Sequence, residues 1–244
     1  MFGGLFFSLE FVEGVVGLVP FWLGLVFLVF SYLGSSYVVF SVSLVRYFRG
    51  FGFGFWIPIL LVGYGLFGSL KFLFFIDRPG VSGAVCFSDL PSFLVPVLEG
   101  AVGFSSGSFP SGHAVAVAIF TVLIVLDSGV LNRGLRLGLG VLYIVGVGFS
   151  RIVLGVHYLG DVIGGVVIGL VVGLSLYYIR ENSRYAVELI SLIGVLVTAP
   201  TLYFDFYQGL WLFFGFFAFY TIHSVRTLVN DSYKNTFIVN LLEG

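Results

Sequence analysis

The sequence predicts an all-α fold, a polytopic transmembrane helical bundle of about six to seven spans. Three observations predict it. Of 244 residues, 59% are hydrophobic and only 9% are charged. A soluble domain carries roughly a quarter charged residues, so this chain has too few charges for a water-facing surface, and lipid must cover most of it. Apolar stretches near the roughly twenty residues of a span recur along the chain. The 34 glycines and 30 phenylalanines suit helices that approach closely and fill lipid-facing positions.

Taken in order, spans are expected near 30–46, 53–75, 112–128, 136–152, 161–179, 186–204 and 208–225. Residues 14–29 are apolar but contain Pro20, and 14–46 is too short for two full spans and a turn. The first part therefore reads either as a helix lying in the interface or as a short tilted span. Glu10 and Glu13, with no basic residue before Phe11, argue against a cleaved signal peptide. The long loop 77–109 contains an apolar piece, Phe93–Phe104, that reads as a lid, a lipid guide or an interfacial helix. The expected organisation is an N-terminal membrane or interfacial helix (1–29), a membrane core (30–180), two additional C-terminal spans (181–227) and a cytoplasmic tail (228–244).

The basic residues set orientation. Of eleven lysines and arginines, eight (Arg46, Arg49, Arg133, Arg136, Arg180, Arg184, Arg226 and Lys234) fall on one side of these spans, which should be cytoplasmic. Lys71, Arg78 and Arg151 map to the opposite side. Any one of them alone reads as a snorkelling or ion-paired residue. Three together, without matching acids, suit a multiply charged anion, and arginine suits phosphate through its planar fork. No basic stripe suggests nucleic acid, and the single Cys86 excludes an intramolecular disulfide and a cysteine-based metal cluster.

Two further polar clusters lie on that side. Phe109-Pro110-Ser111-Gly112-His113 opens a span. Ser111 suits an N-cap, and Gly112 allows close backbone approach to an anion at the helix start. The bland reading is a plain cap with a snorkelling histidine. Ser150-Arg151 is followed by His157 and Asp161, an i,i+4 pair that can meet on one helical face. An aspartate bonded to one ring nitrogen fixes the tautomer and leaves the other nitrogen free to attack; an incidental ion pair is the plainer alternative. Asp161 also heads Gly165, Gly169 and Gly173, small residues at four-residue spacing that predict close packing on a neighbouring helix. His223 reads as a packing or interfacial histidine.

Together these residues resemble the type 2 phosphatidic acid phosphatase family, the membrane branch of the superfamily that includes vanadium haloperoxidases. Its signature is a lysine, six residues and Arg-Pro; then Pro-Ser-Gly-His; then Ser-Arg, five residues, His, three residues and Asp. Here these are Lys71 with Arg78-Pro79, Pro110-Ser111-Gly112-His113, and Ser150-Arg151 with His157 and Asp161, all in order across roughly residues 30–180. The resemblance implies a nucleophile at His157 forming a phosphohistidine, oriented by Asp161, with His113 as general acid and then base. It implies that Lys71, Arg78, Ser111, Gly112, Ser150 and Arg151 hold the phosphate, and that no metal or other cofactor is required.

The expected partners are a lipid phosphate or a polyprenyl diphosphate and the surrounding membrane lipids, not nucleic acid. The active site should face away from the cytoplasm. Competing readings are a phosphatase for a soluble sugar phosphate, a phosphotransferase, and a non-catalytic transporter or scaffold. The last is disfavoured because His113, His157 and Asp161 are all present.

Overall fold

The computed structural model describes residues 3–49, 55–86, 88, 90–102 and 106–242, with side chains as far as Val225. Among these the regular structure is entirely helical: α1 (Gly3–Phe6), α2 (Leu9–Leu18), α3 (Phe21–Leu33), α4 (Ser36–Phe48), α5 (Trp56–Phe74), α6 (Val95–Val102), α7 (Gly112–Asp127), α8 (Arg133–Val153), α9 (Leu159–Asn182), α10 (Ala186–Phe204) and α11 (Phe206–Leu242). Four of them, α5, α8, α9 and α10, are long and apolar enough to cross a membrane. Leu137, Leu142, Val145, Val167, Val171, Leu196 and Phe217 are large, apolar and exposed, a surface that only lipid covers without penalty.

At the centre is α7. Eleven of its sixteen residues are buried, and it packs on α9, α8 and α5. Its length is roughly 24 Å by helical rise, less than the roughly 30 Å hydrocarbon layer. A central helix tolerates this because its ends are satisfied by protein rather than by lipid. The α7–α9 contact is backbone to backbone. A Cβ on Gly165 would lie 2.7 Å from the Ser111 carbonyl oxygen and 2.9 Å from Ala114 Cβ, and one on Gly173 would lie 3.3 Å from Ile119 Cα. Gly165, Gly169 and Gly173 are therefore the packing face expected from their spacing.

Two departures from the expected spans concern the N-terminal third. Pro20, which has no amide proton and clashes with a preceding helical turn, starts α3 after α2 has ended, and the two helices are bent by 116°. Val12 of α2 is fully buried with Ala114, Ile152 and Val162, so α2 packs into the bundle at an angle to α3. The single helix expected over 30–46 is interrupted at Gly34 and Ser35. Gly34 abuts Val147 and Val117, and the Tyr143 hydroxyl donates to the Leu33 carbonyl at 2.6 Å. That carbonyl is one that a continued helix would use itself. Ser35 then takes an extended conformation (φ −71°, ψ 157°) before α4.

At the other end of α7 from His113, Asp127 accepts hydrogen bonds from Arg46 at 3.2 Å and Trp56 Nε1 at 2.7 Å and pairs with Arg180 at 3.0 Å. The Arg46 guanidinium also lies over the Trp56 ring, 4.5 Å from its centroid. Arg136 donates to the Ile124 and Ser128 carbonyls close by. Arg46, Arg136 and Arg180 thus collect at one end of the bundle. The side chains of Arg226 and Lys234 lie outside the described residues, where the backbone of 228–242 continues α11.

The C-terminal pair packs on α5. Ser69 Oγ donates to the Val197 carbonyl at 2.6 Å and lies 3.0 Å from Thr201 Oγ1, which reaches the Gly65 carbonyl at 3.2 Å. Such hydroxyl bridges are a regular means of joining helices in lipid. His223 packs with Phe219 and Phe55, its ring centroid 6.0 and 6.3 Å from theirs.

Candidate active site

Three segments converge at the His113 end of α7. Gly155, at φ +69°, turns the chain sharply after α8, in the left-handed region that favours glycine. The turn is tied to the loop after α5 by Ala84 N–H donating to the Val153 carbonyl at 3.0 Å. It presents His157 immediately before α9. Asp161, in the first turn of α9, accepts the Tyr158 backbone N–H at 2.8 Å and the Ser108 hydroxyl. Its carbonyl accepts the Ser111 N–H at 3.0 Å, which ties α9 to the start of α7.

His157 is 2% exposed. Its Nδ1 lies 3.3 Å from Asp161 Oδ2, and its Nε2 lies 3.4 Å from Arg78 NH1. A guanidinium only donates, so Nε2 is the acceptor in that contact and Nδ1 carries the proton toward Asp161. Burial, with the charges of Arg151, Arg78 and Lys71 and with His113, holds the imidazole well below its ordinary value of 6.5. The ring is therefore neutral at physiological pH with a lone pair on Nε2.

The cations are fixed by backbone carbonyls. Arg78 donates from Nε to Ser106 at 2.9 Å and from NH1 to Val156 at 2.9 Å. Burial lowers its guanidinium to about 10, against the favourable pull of Asp161, and it stays charged at neutral pH. Lys71 Nζ donates to the Gly107 carbonyl and lies 3.5 Å from that of Ser108. Arg151, fully buried, donates to Ser31 Oγ and, at 3.0 Å, to the Ala101 carbonyl.

These groups border a cavity of about 290 Å³ whose wall includes Lys71, Arg78, Arg151, Gly112, His113 and His157. No carboxylate lines it among the described residues. Holding Lys71 and Arg151 buried, with Arg78 half-buried beside them, is costly, and an anion in the cavity would offset that cost. Gly100 and Ala101 of α6 form part of the wall, and α6 is held down by Leu98 and Ala101 against Leu28, Val85, Leu154 and Val156. In the apolar piece of the long loop, Leu98 and Ala101 are thus packed inward while Phe93 is exposed, and Phe104 lies outside the described residues.

Two of the expected phosphate ligands stand apart from that wall. Ser150 is fully buried and its Oγ donates to the Val147 carbonyl of its own helix at 2.6 Å. Ser111 is also buried; its amide is engaged by Asp161, and its Oγ has no hydrogen-bond partner among the described residues. Conversely, Ser108 and Ser106 join the site without having been singled out in the sequence. The small polar run Ser106-Gly107-Ser108 just before Phe109-Pro110 was the available signal. Among the described residues no group of three or more His, Cys, Asp or Glu side chains is placed to hold a metal ion.

An all-helical membrane bundle with a neutral histidine facing a cation-lined anion cavity defines a class of phosphate-handling membrane protein. The chain belongs to the PAP2 superfamily, whose family model matches residues 53–185. The fold is similar to the crystal structure of a transmembrane PAP2-type phosphatidylglycerolphosphate phosphatase from Bacillus subtilis. The TM-score is 0.56 and the identity 24%, over 72% of this chain and 86% of that one. No curated protein matches.

Proposed function

We propose that this integral membrane protein is a phosphatase that hydrolyses a lipid phosphate monoester or a polyprenyl diphosphate through a phosphohistidine, without a metal. The observation that carries this reading is the neutral His157, held between Asp161 and Arg78 beside a cavity lined by cations. Its Nε2 lone pair attacks phosphorus, and the bond from phosphorus to the leaving oxygen breaks. His113, which lines the same cavity, gives that oxygen a proton. Neutral His113 then takes a proton from water as its oxygen attacks phosphorus; the P–Nε2 bond breaks, its electron pair returns to Nε2, and phosphate is released. Arg78, Lys71 and Arg151 stabilise the charge spread over the phosphoryl oxygens, with the Gly112 backbone beside them. Ser111 and Ser150 act behind this layer, by holding the start of α7 and the end of α8. Asp161 fixes the imidazole tautomer.

A lipid is favoured over a soluble ester because Ser36 and Tyr37 line both this cavity and a mainly apolar groove with Phe40, Leu44 and Ile57. The site faces away from the cytoplasm, because Arg46, Arg136 and Arg180 gather at the opposite end of α7. Phosphate release from polyprenyl diphosphate, phosphatidic acid, phosphatidylglycerol phosphate and sugar phosphates tests the reading, with His157→Ala as control. Activity on a lipid, absent in the variant, inhibited by vanadate and unaffected by chelator is expected. Full activity in the variant, or a strict magnesium requirement, overturns it.

A further inference from the structure

Ser106, Gly107 and Ser108 lie just before the start of α7 and outside the three polar clusters of the sequence. Two of their carbonyls face the cations. Ser106 accepts from Arg78 Nε at 2.9 Å, and Gly107 accepts from the Lys71 ammonium and, at 3.4 Å, from Arg78 NH2. The Ser108 hydroxyl faces the acid instead. Ser108 is fully buried, and its Oγ donates to Asp161 Oδ2. One short run of chain therefore holds both signs of charge. The run is itself fixed, because Ser108 N–H donates to the Ile76 carbonyl at 2.7 Å, and a Cβ on Gly107 would lie 3.1 Å from the Lys71 carbonyl oxygen.

The carboxylate of Asp161 is tethered through one oxygen. Oδ2 receives Ser108 Oγ, the Tyr158 N–H at 2.8 Å and His157 Nδ1 at 3.3 Å. Oδ1 is buried and has no hydrogen-bond partner among the described residues. Tyr158 and His157 precede Asp161 by three and four residues, so they belong to the same turn of chain. Ser108 is 53 residues away and approaches from the start of α7. A carboxylate held at one oxygen by its own turn can pivot, since the terminal torsion onto an sp² group is broad. An anchor from a second element removes that freedom.

We propose that Ser108 is a positioning residue, whose hydroxyl holds the Asp161 carboxylate in the orientation that receives the Nδ1 proton of His157 and so keeps Nε2 aimed at the cavity. This rests on the phosphatase reading, in which His157 attacks phosphorus, and extends its pair to Ser108–Asp161–His157. Ser108 is not part of the cavity wall, so the hydroxyl touches neither substrate nor reacting atoms, and its contribution passes through Asp161. A hydroxyl donating to a carboxylate makes one of the stronger protein hydrogen bonds, because the acceptor is charged. Its removal leaves a buried charged acceptor short of a donor.

The test is a double-mutant cycle on the full chain, assayed on phosphatidic acid, phosphatidylglycerol phosphate and polyprenyl diphosphate. On the lipid that the wild type turns over, Ser108→Ala should lower kcat about tenfold and leave KM within about twofold. In the Asp161→Asn background the same change should alter kcat by less than about twofold, because the carboxylate it acts through is gone. Ser108→Cys is close in size and a weaker donor. Its kcat should fall between those of Ser108→Ala and the wild type, and it carries the cycle if the alanine variant does not fold. A hydroxyl that only stabilises the fold would lower kcat by the same factor in both backgrounds. Equal losses in the two backgrounds, a loss confined to KM, or wild-type kcat in both Ser108 variants overturns the positioning role while leaving the phosphatase reading intact. A wild type inactive on all three lipids removes the phosphatase reading, and the positioning role falls with it.

Discussion

His157 has a different neighbour on each ring nitrogen, and this governs what its replacement does. Exchange for Gln keeps polarity but removes the attacking nitrogen. Turnover should fall by at least about a thousandfold, and brief exposure to radiolabelled substrate should label the wild type but not the variant. Label that persists in His157→Gln excludes this residue as the nucleophile. Asp161→Asn keeps the shape but loses the charge that favours a proton on Nδ1, and a loss of about a hundredfold or more in kcat is expected, with a smaller change in KM. The same environment links stability to pH. The folded value of His157 lies below 6.5, so on acidification the unfolded chain takes up the proton first. Its contribution is fully present above about 6.5 and declines below it. Below about pH 6.5 the unfolding free energy of the wild type should drop more steeply than that of His157→Gln, by up to about 1.4 kcal/mol per pH unit. Equal slopes refute the linkage.

The element that matters most for the site is the α7–α9 pair. Gly165 has no room for a methyl group, since its Cβ would lie 2.7 Å from a backbone oxygen that cannot swing away. Gly165→Ala should therefore push α9 from α7 and cost about 1–3 kcal/mol in stability. Because Asp161 lies one turn before Gly165 on the same face, activity should fall along with the melting temperature. A variant that melts early yet turns over normally would mean that the interface and the site are independent. The interruption between α3 and α4 is the opposite kind of element. Nothing in the composition of 30–46 announces it, because Gly34 is one glycine among many. Its consequence depends on Val147, Val117 and Tyr143, which are distant in sequence.

For the whole molecule, the two ends of α7 divide the labour. The His113 end gathers the proposed catalytic groups, and the Asp127 end gathers Arg46, Trp56 and Arg180. Asp127→Ala should lower stability by about 1–3 kcal/mol by leaving charged donors without their acceptor. Below the new melting point kcat should stay near that of the wild type; a large loss of kcat in protein that is still folded would show coupling between the ends. Orientation has a native reporter in Cys86, the single cysteine, which is exposed in the loop after α5. If the site faces away from the cytoplasm, a membrane-impermeant maleimide should label Cys86 in cells whose membrane holding the protein is intact and reachable by the reagent. Labelling only after that membrane is opened would reverse the proposed orientation.

The sequence by itself determined the helical membrane class, because so few charges and so much apolar surface leave no soluble alternative. It also singled out Lys71, Arg78, His113, His157 and Asp161, around which the proposed site is drawn, but not Ser106 and Ser108. The i,i+4 spacing of His157 and Asp161 and the four-residue glycine repeat are local in the chain. The tertiary structure alone decided how the N-terminal third folds and what completes the cavity. Pro20 marks a break in the sequence but not its 116° bend. Ser31, Ser35 and Gln208 become neighbours of Arg151 and His157 only through packing between segments far apart in the chain. Local periodicity carries no information about such contacts, which is why the residues of the proposed site were legible and the cavity lining that these distant segments add was not.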